Sequence, residues 1–394
     1  MRILGIETSC DETAIAVLEI QGKKNPRFRN VQNQRFLRCW NVERKVLQSK
    51  TNVLTFRILS NVIASQAKLH AKYGGVYPSL AKREHQKNLP IVLASALKEA
   101  GAGAVPAIDA IAVTQGPGLD PCLWAGIEFA KNLAKKTKIP LVPIDHMEGH
   151  LLVGLLKQTN KNDKFQMTNA KTSLPAIALL VSGGHTQLVL MKGIGQYKVF
   201  GETRDDAAGE CFDKTARMLG LPYPGGPAIE KLAAMPKLGL GGPKPSLGIN
   251  LPRPMIHTKD FDFSFSGLKT AVLYDFQSRT AKVQKSKEYI RTMAKEIQQA
   301  IIDVLLAKTL KAAVQYGAKS IILGGGVAAN KELRKQLTYT IHASGFKFQV
   351  LAALPKLCTD NGLMPALAGF FNLSKKKYGE ALNRIAAKPN LRLE

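Results

Sequence analysis

The chain has 394 residues, of which 45% are hydrophobic, and this length favours two domains that bury cores without disulfide staples. Its five cysteines include no CxxC pair, which argues against a disulfide framework and favours a reducing cytoplasm, while no segment resembles a signal peptide or membrane span. Because 56 Lys and Arg outnumber 29 Asp and Glu, the net charge of +27 favours a polyanionic partner such as RNA, or else solvated basic faces.

Two similar hairpins are predicted, one at the start of the chain and one near its middle. Residues 3–18 have the pattern of an apolar strand, a polar turn and a second strand, and residues 175–191 repeat it around Ser182–Thr186. The repetition predicts a duplicated domain. Two such turns facing each other across a cleft would hold the phosphates of a nucleotide through N–H and hydroxyl groups.

Helices and strands alternate elsewhere in the sequence. Helical spacing of apolar residues occurs in 80–101 and 124–135, and short apolar runs predict buried strands at 108–113 and 139–144. This alternation is typical of an α/β architecture. The segment 261–270 alternates aromatic with polar residues and predicts a half-buried strand.

Three segments have the composition of loops. Residues 158–173 are polar, and residues 233–250 are rich in Gly, Pro and Lys. Residues 22–57 carry ten Lys and Arg against the single acid Glu43, with Phe and Trp interleaved. That mixture suits contact with nucleic acid, and it equally suits an irregular insertion within a sheet.

The segment from Asp145 to His150 predicts a helix with two potential metal ligands. Asp145 suits an N-cap, and His146 and His150 stand four residues apart, so their imidazoles project from one helical face. Such a pair either binds one divalent metal or belongs to a solvated helix surface. The spacing is not HExxH, so the general base of a zinc protease is not supplied.

Asp360 is the candidate third ligand. It lies in a turn, Cys358–Gly362, at a predicted helix start, where it would serve either as a ligand or only as an N-cap. Two His and one carboxylate with open positions suit iron(II) or zinc, and substrate oxygens could take the open positions.

Other polar and glycine-rich segments suit a nucleotide. The apolar run 321–323 leads into Gly324–Gly326 and then to Asn330, so a ligand could approach the backbone closely. Neither GxGxxG nor a P-loop occurs. Asp213 is the best ligand candidate among the carboxylates of residues 205–213, and Glu230 follows the turn 223–227.

Taken together, these motifs closely resemble the TsaD family of tRNA adenosine threonylcarbamoyltransferases, formerly called O-sialoglycoprotein endopeptidases, in its bacterial form. The resemblance covers about residues 1–20 and 58–372. The segments that carry it occur in family order: ILGIETSCDET, SQAKLHAKYGGVYPSLAKREH, GPGL, HMEGH, LLVSGGHTQL, DDAAGECFDKTA, YPGGP, FSFSGLKT, GGGVAAN and CTDNG.

The resemblance implies a two-lobed, duplicated α/β fold of the actin-like ATPase (ASKHA, ribonuclease H-like) superfamily. We expect an N-terminal lobe at 1–145 with the basic insertion at about 22–57, a C-terminal lobe at 146–372, and a basic tail at 373–394. The implied reaction transfers a threonylcarbamoyl group from threonylcarbamoyl-AMP to N6 of adenosine 37, in tRNAs that read ANN codons, and releases AMP.

By the family pattern, His146, His150 and Asp360 would hold a metal, usually iron. Ser9, Asp11 and Glu12 would lie near the reacting group, and we take Asp11 or Glu12 as the candidate base. Nine residues would line the adenylate site: Leu180, Val181, Ser182, Gly183, Gly184, Asp213, Gly226, Glu230 and Asn330. The resemblance also implies tRNA as substrate and TsaB and TsaE as partner proteins.

Three alternatives stay open at the level of sequence. They are a metal-dependent glycoprotein endopeptidase, an ATP-dependent kinase of the same superfamily, and a non-catalytic protein that binds tRNA or DNA. The last leaves the predicted metal ligands and glycine turns without a role. The family pattern does not require the basic segment 22–57 at this length, so this segment would supplement tRNA binding or replace partner surface.

Overall fold

The computed structural model describes residues 1–21, 54–101, 108–159, 164–168, 173–235, 248–373 and 382–393. Its strands are β1 (Arg2–Glu7), β2 (Glu12–Gln21), β3 (Thr55–Ser65), β4 (Ala110–Gly116), β5 (Leu141–Asp145), β6 (Leu156–Gln158), β7 (Lys164–Met167), β8 (Ala176–Val181), β9 (Thr186–Gly193), β10 (Gln196–Glu202), β11 (Ser320–Gly324) and β12 (Gln349–Ala352).

The α-helices are α1 (Ala67–His70), α2 (Pro78–Glu99), α3 (Asp120–Thr137), α4 (His146–Gly154), α5 (Ala208–Met218), α6 (Gly225–Ala233), α7 (Ser266–Ser278), α8 (Ala281–Gln284), α9 (Lys287–Gln315), α10 (Lys331–Ala343) and α11 (Leu363–Asn372). No helix in the described ranges is long and apolar enough to cross a membrane.

Two sheets repeat one topology. The first has the order β5-β4-β1-β2-β3-β7-β6, and the second has the order β10-β9-β8-β11-β12. In each sheet, the first strand of an antiparallel hairpin also pairs with a parallel strand. Strand β1 pairs with β2 in antiparallel and with β4 in parallel orientation, and β8 pairs with β9 and β11 in the same two ways. Strands β1 and β8 read as continuous apolar runs because they are buried on both faces. The predicted duplicated α/β fold is confirmed.

Helices α4 and α11 form a layer between the two sheets. They pack against each other, α11 also contacts β1 and β4, and α4 contacts β8 and β11. The apolar core around them includes Ile3 and Ala112 of the first sheet and Leu180 and Ile322 of the second, all fully buried. This shared core fixes the two sheets relative to each other, and it positions the N-terminal ends of both helices.

Several loop and strand predictions need correction. The segment 261–270 is not a strand: Phe263 forms a single bridge to Thr203, and α7 begins at Ser266. The reason is that Asp205 accepts hydrogen bonds from the backbone N–H groups of Phe265 and Ser266, which starts a helix there. The predicted loop 158–173 contains β7, which pairs with β3.

The predicted insertion and tail fall partly outside the described residues. Residues 22–53 and 374–381 are not described, whereas Thr55–Arg57 belong to β3. Near the C-terminus, Lys388 N donates to Gln115 O at 2.7 Å and Arg392 Nη2 donates to Glu202 at 2.9 Å. The end of the chain therefore packs against both sheets. The lobe division at residue 145 stays a prediction.

Candidate metal and nucleotide site

The candidate site lies where parallel strands of the first sheet end. Glu7 ends β1, Thr114 lies near the end of β4, and His146 follows β5 directly. The carboxyl ends of parallel strands meet at one edge of a sheet, which is where α/β proteins bind ligands. Three distant parts of the sequence are thereby brought together.

Helix α4 carries the two histidines. Asp145 is its N-cap, and the carboxylate accepts hydrogen bonds from Met147 N at 2.7 Å and Glu148 N at 3.1 Å, as the sequence predicts. The His146 and His150 ring centroids lie 4.7 Å apart, and both residues are buried, so a solvated helix face is excluded. The Glu148 carboxylate accepts hydrogen bonds from Tyr197 and Asn372.

Asp360 lies opposite the histidines. Its Oδ1 atom is 3.5 Å from His146 Nε2 and 3.2 Å from His150 Nε2. The loop reaches this position because Gly362 packs directly on the backbone of β2, where a Cβ atom would collide with Ile15 and Ala16. The N-cap of α11 is Gly362, so the interpretation of Asp360 as a helix cap is wrong.

The three side chains fit a metal ion. Their candidate ligand atoms all lie within 4.8 Å of one another. His150 Nε2 is buried, and although it lies 3.2 Å from Asp360 Oδ1, it makes no hydrogen bond of good geometry among the described residues, which is costly unless a ligand satisfies the atom. Two imidazoles and one carboxylate are a donor set that iron(II) and zinc both accept.

Glu7 orients the first histidine, and sequence reasoning missed this role. Its Oε2 atom lies 3.1 Å from His146 Nδ1 and accepts a hydrogen bond from Thr114 Oγ1 at 2.6 Å. Ser9 Oγ also lies 3.3 Å from His146 Nδ1. A carboxylate on Nδ1 favours the tautomer that leaves Nε2 for a metal. The only available signal was that Glu7 ends a strand at the sheet edge.

The charges of this cluster are strongly coupled. Burial lowers the pKa of His146, but the neighbouring Asp360 and Glu7 carboxylates outweigh burial and raise it to about 9. Burial raises the pKa of Asp360, while His146 and His150 lower it to well below its ordinary value. Burial lowers the pKa of His150. A positive centre balanced by two carboxylates is also the charge arrangement that suits a bound cation.

The second hairpin turn lies beside the cluster of metal-ligand candidates, and part of its backbone is accessible to a ligand. Ser182 N donates to His185 O at 2.8 Å, and Gly209 N donates to Ser182 O at 3.1 Å, so the turn is held from two sides. Gly183 and Gly184 are exposed, with open space where a Cβ atom of either residue would lie. By contrast, Leu180 and Val181 are buried in the apolar cores, so they support the turn from beneath.

Gly325 shapes the next turn along this edge. Its φ is +89°, and a Cβ atom there would collide with the Val181 backbone, so only glycine fits. Asn330 caps α10 by accepting from Leu333 N at 2.9 Å, and its amide donates to Gln298 at 2.9 Å. The turns after β8 and β11 therefore lie against each other.

The remaining predicted adenylate residues belong to α5 and α6 and their surroundings. Asp213 accepts a hydrogen bond from Gly225 N at 2.6 Å, and burial raises the pKa of its carboxyl. Gly226 follows in the first turn of α6, and Glu230 accepts from Lys331 N at 2.8 Å. These contacts join α5, α6 and α10 to one another.

Asp11 lies in the first hairpin turn, and Glu12 directly after it begins β2. Asp11 is buried, and its carbonyl oxygen accepts from Gln66 N at 3.0 Å. Glu12 accepts from Ser65 Oγ at 3.2 Å. Burial, followed by the charge of Asp11, raises the pKa of Glu12 well above its ordinary value. Burial, followed by the charges of Asp11 and Asp213, raises the pKa of Tyr223, a residue of the second half of the chain, well above its ordinary value.

The family of this chain follows from its similarity to known proteins. Residues 57–367 match the family described as TsaD: tRNA N6-adenosine threonylcarbamoyltransferase. The chain belongs to the TsaD family. The predicted family membership is therefore confirmed over most of the sequence.

Individual relatives agree with this result. A protein of that name from Polynucleobacter asymbioticus is 41% identical over 383 residues, 96% of this chain and 94% of that protein. Another from Chromobacterium violaceum is 40% identical over 390 residues, 99% and 97% of the two chains. The crystal structure of full-length HypF, bound to phosphate and nucleotide, has a TM-score of 0.50 at 12% identity, covering 83% of this chain and 55% of that one. This last likeness supports the fold alone.

Proposed function

We propose that this chain is a TsaD-type enzyme that moves a threonylcarbamoyl group from threonylcarbamoyl-AMP to N6 of adenosine 37, in tRNAs that read ANN codons. A bound iron(II) ion would be held by His146, His150 and Asp360. The observation that carries the proposal is the cluster of these three side chains, within 4.8 Å, in a chain of this family. The unsatisfied Nε2 atom of His150 supports a metal ligand role.

Both histidines would bind the metal in their neutral forms, so His146, whose pKa is raised to about 9, would lose its proton when the metal binds. Glu7 and Ser9 contact His146 Nδ1, so Nε2 is free for the metal, and burial favours the neutral form of His150. When bound, the metal would act as a Lewis acid on oxygens of the donor. Zinc is the alternative ion, because the same ligands accept it.

The glycine turns would hold the AMP portion of the donor. The exposed turn at Gly183 and Gly184 suits its phosphate, since backbone N–H groups in a turn attract anions. Asp213, Glu230 and Asn330 would contact the nucleoside, with the backbone at Gly226 close to it. Each of these side chains is already fixed by a hydrogen bond to neighbouring backbone, so little ordering would be needed on binding.

A carboxylate in the first hairpin turn would accept the proton that the N6 amine loses. The raised pKa of Glu12 makes it a stronger base than an ordinary carboxylate, and Asp11 lies beside it. The amine nitrogen would form its bond to the carbamoyl carbon, while the bond from that carbon to the phosphate oxygen breaks and AMP leaves. Proximity to an activated donor supplies most of the rate for a weak nucleophile.

The net charge of +27 supports tRNA as the acceptor. TsaB and TsaE are the proposed partner proteins, and a cytoplasmic location is proposed with them. The endopeptidase alternative is not favoured, because the glutamate of α4, Glu148, is hydrogen-bonded to Tyr197 and Asn372 and the HExxH spacing is absent. The kinase alternative is not favoured either, because it gives the three-residue cluster no role.

Reconstitution tests the proposal directly. Purified full-length protein, the two partner proteins and iron(II) are supplied with threonylcarbamoyl-AMP and unmodified tRNA, and the modified nucleoside is measured by mass spectrometry. We expect product with the wild type and at least a hundredfold less with His146→Ala, whereas His257→Ala, which removes an exposed histidine, leaves the rate unchanged. Absence of product from the wild type, or full activity of His146→Ala, contradicts the proposal.

A further inference from the structure

Two tyrosines project into solvent from the segment that follows β3. Tyr73 is 58% exposed and Tyr77 is 54% exposed, and both are among the exposed large hydrophobic side chains of the described residues. Their ring centroids lie 5.7 Å apart at an interplanar angle of 32°. The two rings therefore contact each other and together present their outer faces to solvent.

The surroundings of the tyrosines are basic. Residues 67–83 contain no Asp or Glu, and they contain four cationic side chains that are all exposed. These are Lys68, Lys72, Lys82 and Arg83. Two exposed aromatic rings that contact each other among exposed cations form a contiguous patch of the kind that marks an interaction site.

Hydrogen bonds tie this segment to the first hairpin turn. His70 Nε2 lies 3.1 Å from Gln66 Oε1, and Gln66 N donates to the carbonyl of Asp11 at 3.0 Å. Tyr77 N donates to His70 Nδ1 at 3.3 Å. Because His70 and Gln66 are buried, the position of the tyrosines is coupled to the turn that carries the candidate base.

The same segment also reaches the second half of the molecule. Gly74, with φ of +67°, packs so closely against Arg217 that a Cβ atom would lie 3.0 Å from its side chain. Arg217 is exposed and stands one helical turn after Asp213 in α5. The segment that carries the tyrosine pair therefore contacts α5, the helix that carries Asp213.

We propose that Tyr73 and Tyr77 form a stacking platform for unpaired bases of the tRNA anticodon loop next to the target adenosine. Proteins recognise single-stranded RNA by stacking exposed bases on aromatic rings, while cations bind the backbone phosphates. Lys68, Lys72 and Arg217 supply those cations here. This inference rests on the proposed function, and it assigns the part of the site that holds the acceptor.

The chemistry of the surface favours RNA over a protein partner. The core of a protein interface would consist of aliphatic and aromatic groups with few charges. Here two rings stand among four cations and no acid between residues 67 and 83. The four cations complement the charge of phosphate, and every base offers a face on which a ring can stack.

The test compares variants that remove an aromatic ring with variants that keep it. Tyr73→Ala, Tyr77→Ala and their Phe counterparts are each assembled with the partner proteins, and KM for tRNA, KM for threonylcarbamoyl-AMP and kcat are measured. Tyr339→Ala removes another exposed tyrosine, on α10, as a matched control. Each Ala variant should raise KM for tRNA about fivefold to a hundredfold, with KM for the donor unchanged, and each Phe variant should stay within twofold of wild type.

A second measurement separates phosphate contact from structural damage. Lys72→Gln should lower the slope of log binding constant against log salt concentration by about 1, for tRNA and for an isolated anticodon stem-loop alike. Unchanged KM for tRNA in both Ala variants overturns the inference. Weaker binding of a partner protein with unchanged tRNA affinity also overturns it, by making the surface a protein interface. If the wild type forms no product at all, the proposed function itself fails.

Discussion

The Nδ1 atom of His146 lies 3.1 Å from Oε2 of Glu7, a residue 139 positions earlier in the chain. Glu7 is fully buried, and its other contacts come from Ser9 N at 2.7 Å and Thr114 Oγ1 at 2.6 Å. A buried carboxylate with three partners is held rigidly, so it fixes the plane and tautomer of the imidazole.

The first prediction is that Glu7→Gln lowers metal affinity about 10- to 100-fold, because an amide holds the His146 tautomer less strongly than a carboxylate does. Metal binding is measured by competition with a chelator, and activity is measured at saturating metal. Glu19→Gln is the control, since Glu19 lies at the other end of the hairpin and pairs only with Arg2 and Gln21 among its described contacts. Equal metal affinity of Glu7→Gln and wild type would contradict the positioning role.

Asp205 gives a prediction about pH and stability. Its carboxylate accepts hydrogen bonds from Ser264, Ser266 and the backbone at the start of α7, and these bonds outweigh burial, so the pKa lies below the ordinary value of 3.8. A lowered folded-state pKa stabilises the protein fully above the unfolded-state pKa, and this stabilisation is lost as pH falls through the folded-state pKa.

We therefore expect Asp205→Asn to lower the free energy of unfolding at pH 7 by about 1 kcal/mol. The value is modest because Asp205 is exposed. The difference should shrink as pH falls below about 4. Urea unfolding at several pH values measures it. A difference that stays constant from pH 7 to pH 3 would show that the carboxylate charge is not responsible.

Much of the fold was predictable because the buried strands are apolar and their order repeats. The hairpins at 3–18 and 175–191 follow directly from runs of buried residues around polar turns. The segment 261–270 was predicted wrongly because a buried Phe at every second residue, alternating with Asp and Ser, also occurs in the chain that leads into a helix. Only Asp205, distant in sequence, decides between the two.

The candidate site was also predictable only in part. His146 and His150 share a helix, so their spacing alone placed both rings on one face. Asp360 was a candidate by residue type, but its approach to the histidines depends on close packing of Gly362 against β2, which no local pattern reveals. Glu7 was missed because its role comes from the parallel pairing of β1 with β4, a tertiary relationship.

Gly5 provides a test of that close packing. A Cβ atom there would collide with Gly362 O and Ala366 N, where α11 begins. Gly5→Ala should destabilise the protein by about 1–3 kcal/mol and also weaken metal binding, because α11 and the Asp360 loop must move away. Gly267→Ala is the control, since its Cβ would meet only Pro254 at an ordinary 3.7 Å. Reduced stability with unchanged metal affinity would show that Asp360 does not depend on this contact.

Asn330 separates helix capping from donor binding. Its Oδ1 atom caps α10 at 2.9 Å from Leu333 N, and its amide group donates to Gln298. Asn330→Ser keeps a side-chain oxygen for the cap, whereas Asn330→Ala removes it and should cost about 1 kcal/mol of stability.

If the amide also contacts the nucleoside, both variants should raise KM for threonylcarbamoyl-AMP about tenfold, the value of one lost hydrogen bond, with KM for tRNA unchanged. Urea unfolding and steady-state kinetics together distinguish the two roles. A normal donor KM in Asn330→Ser, combined with a raised one in Asn330→Ala, would mean that Asn330 acts only by capping the helix.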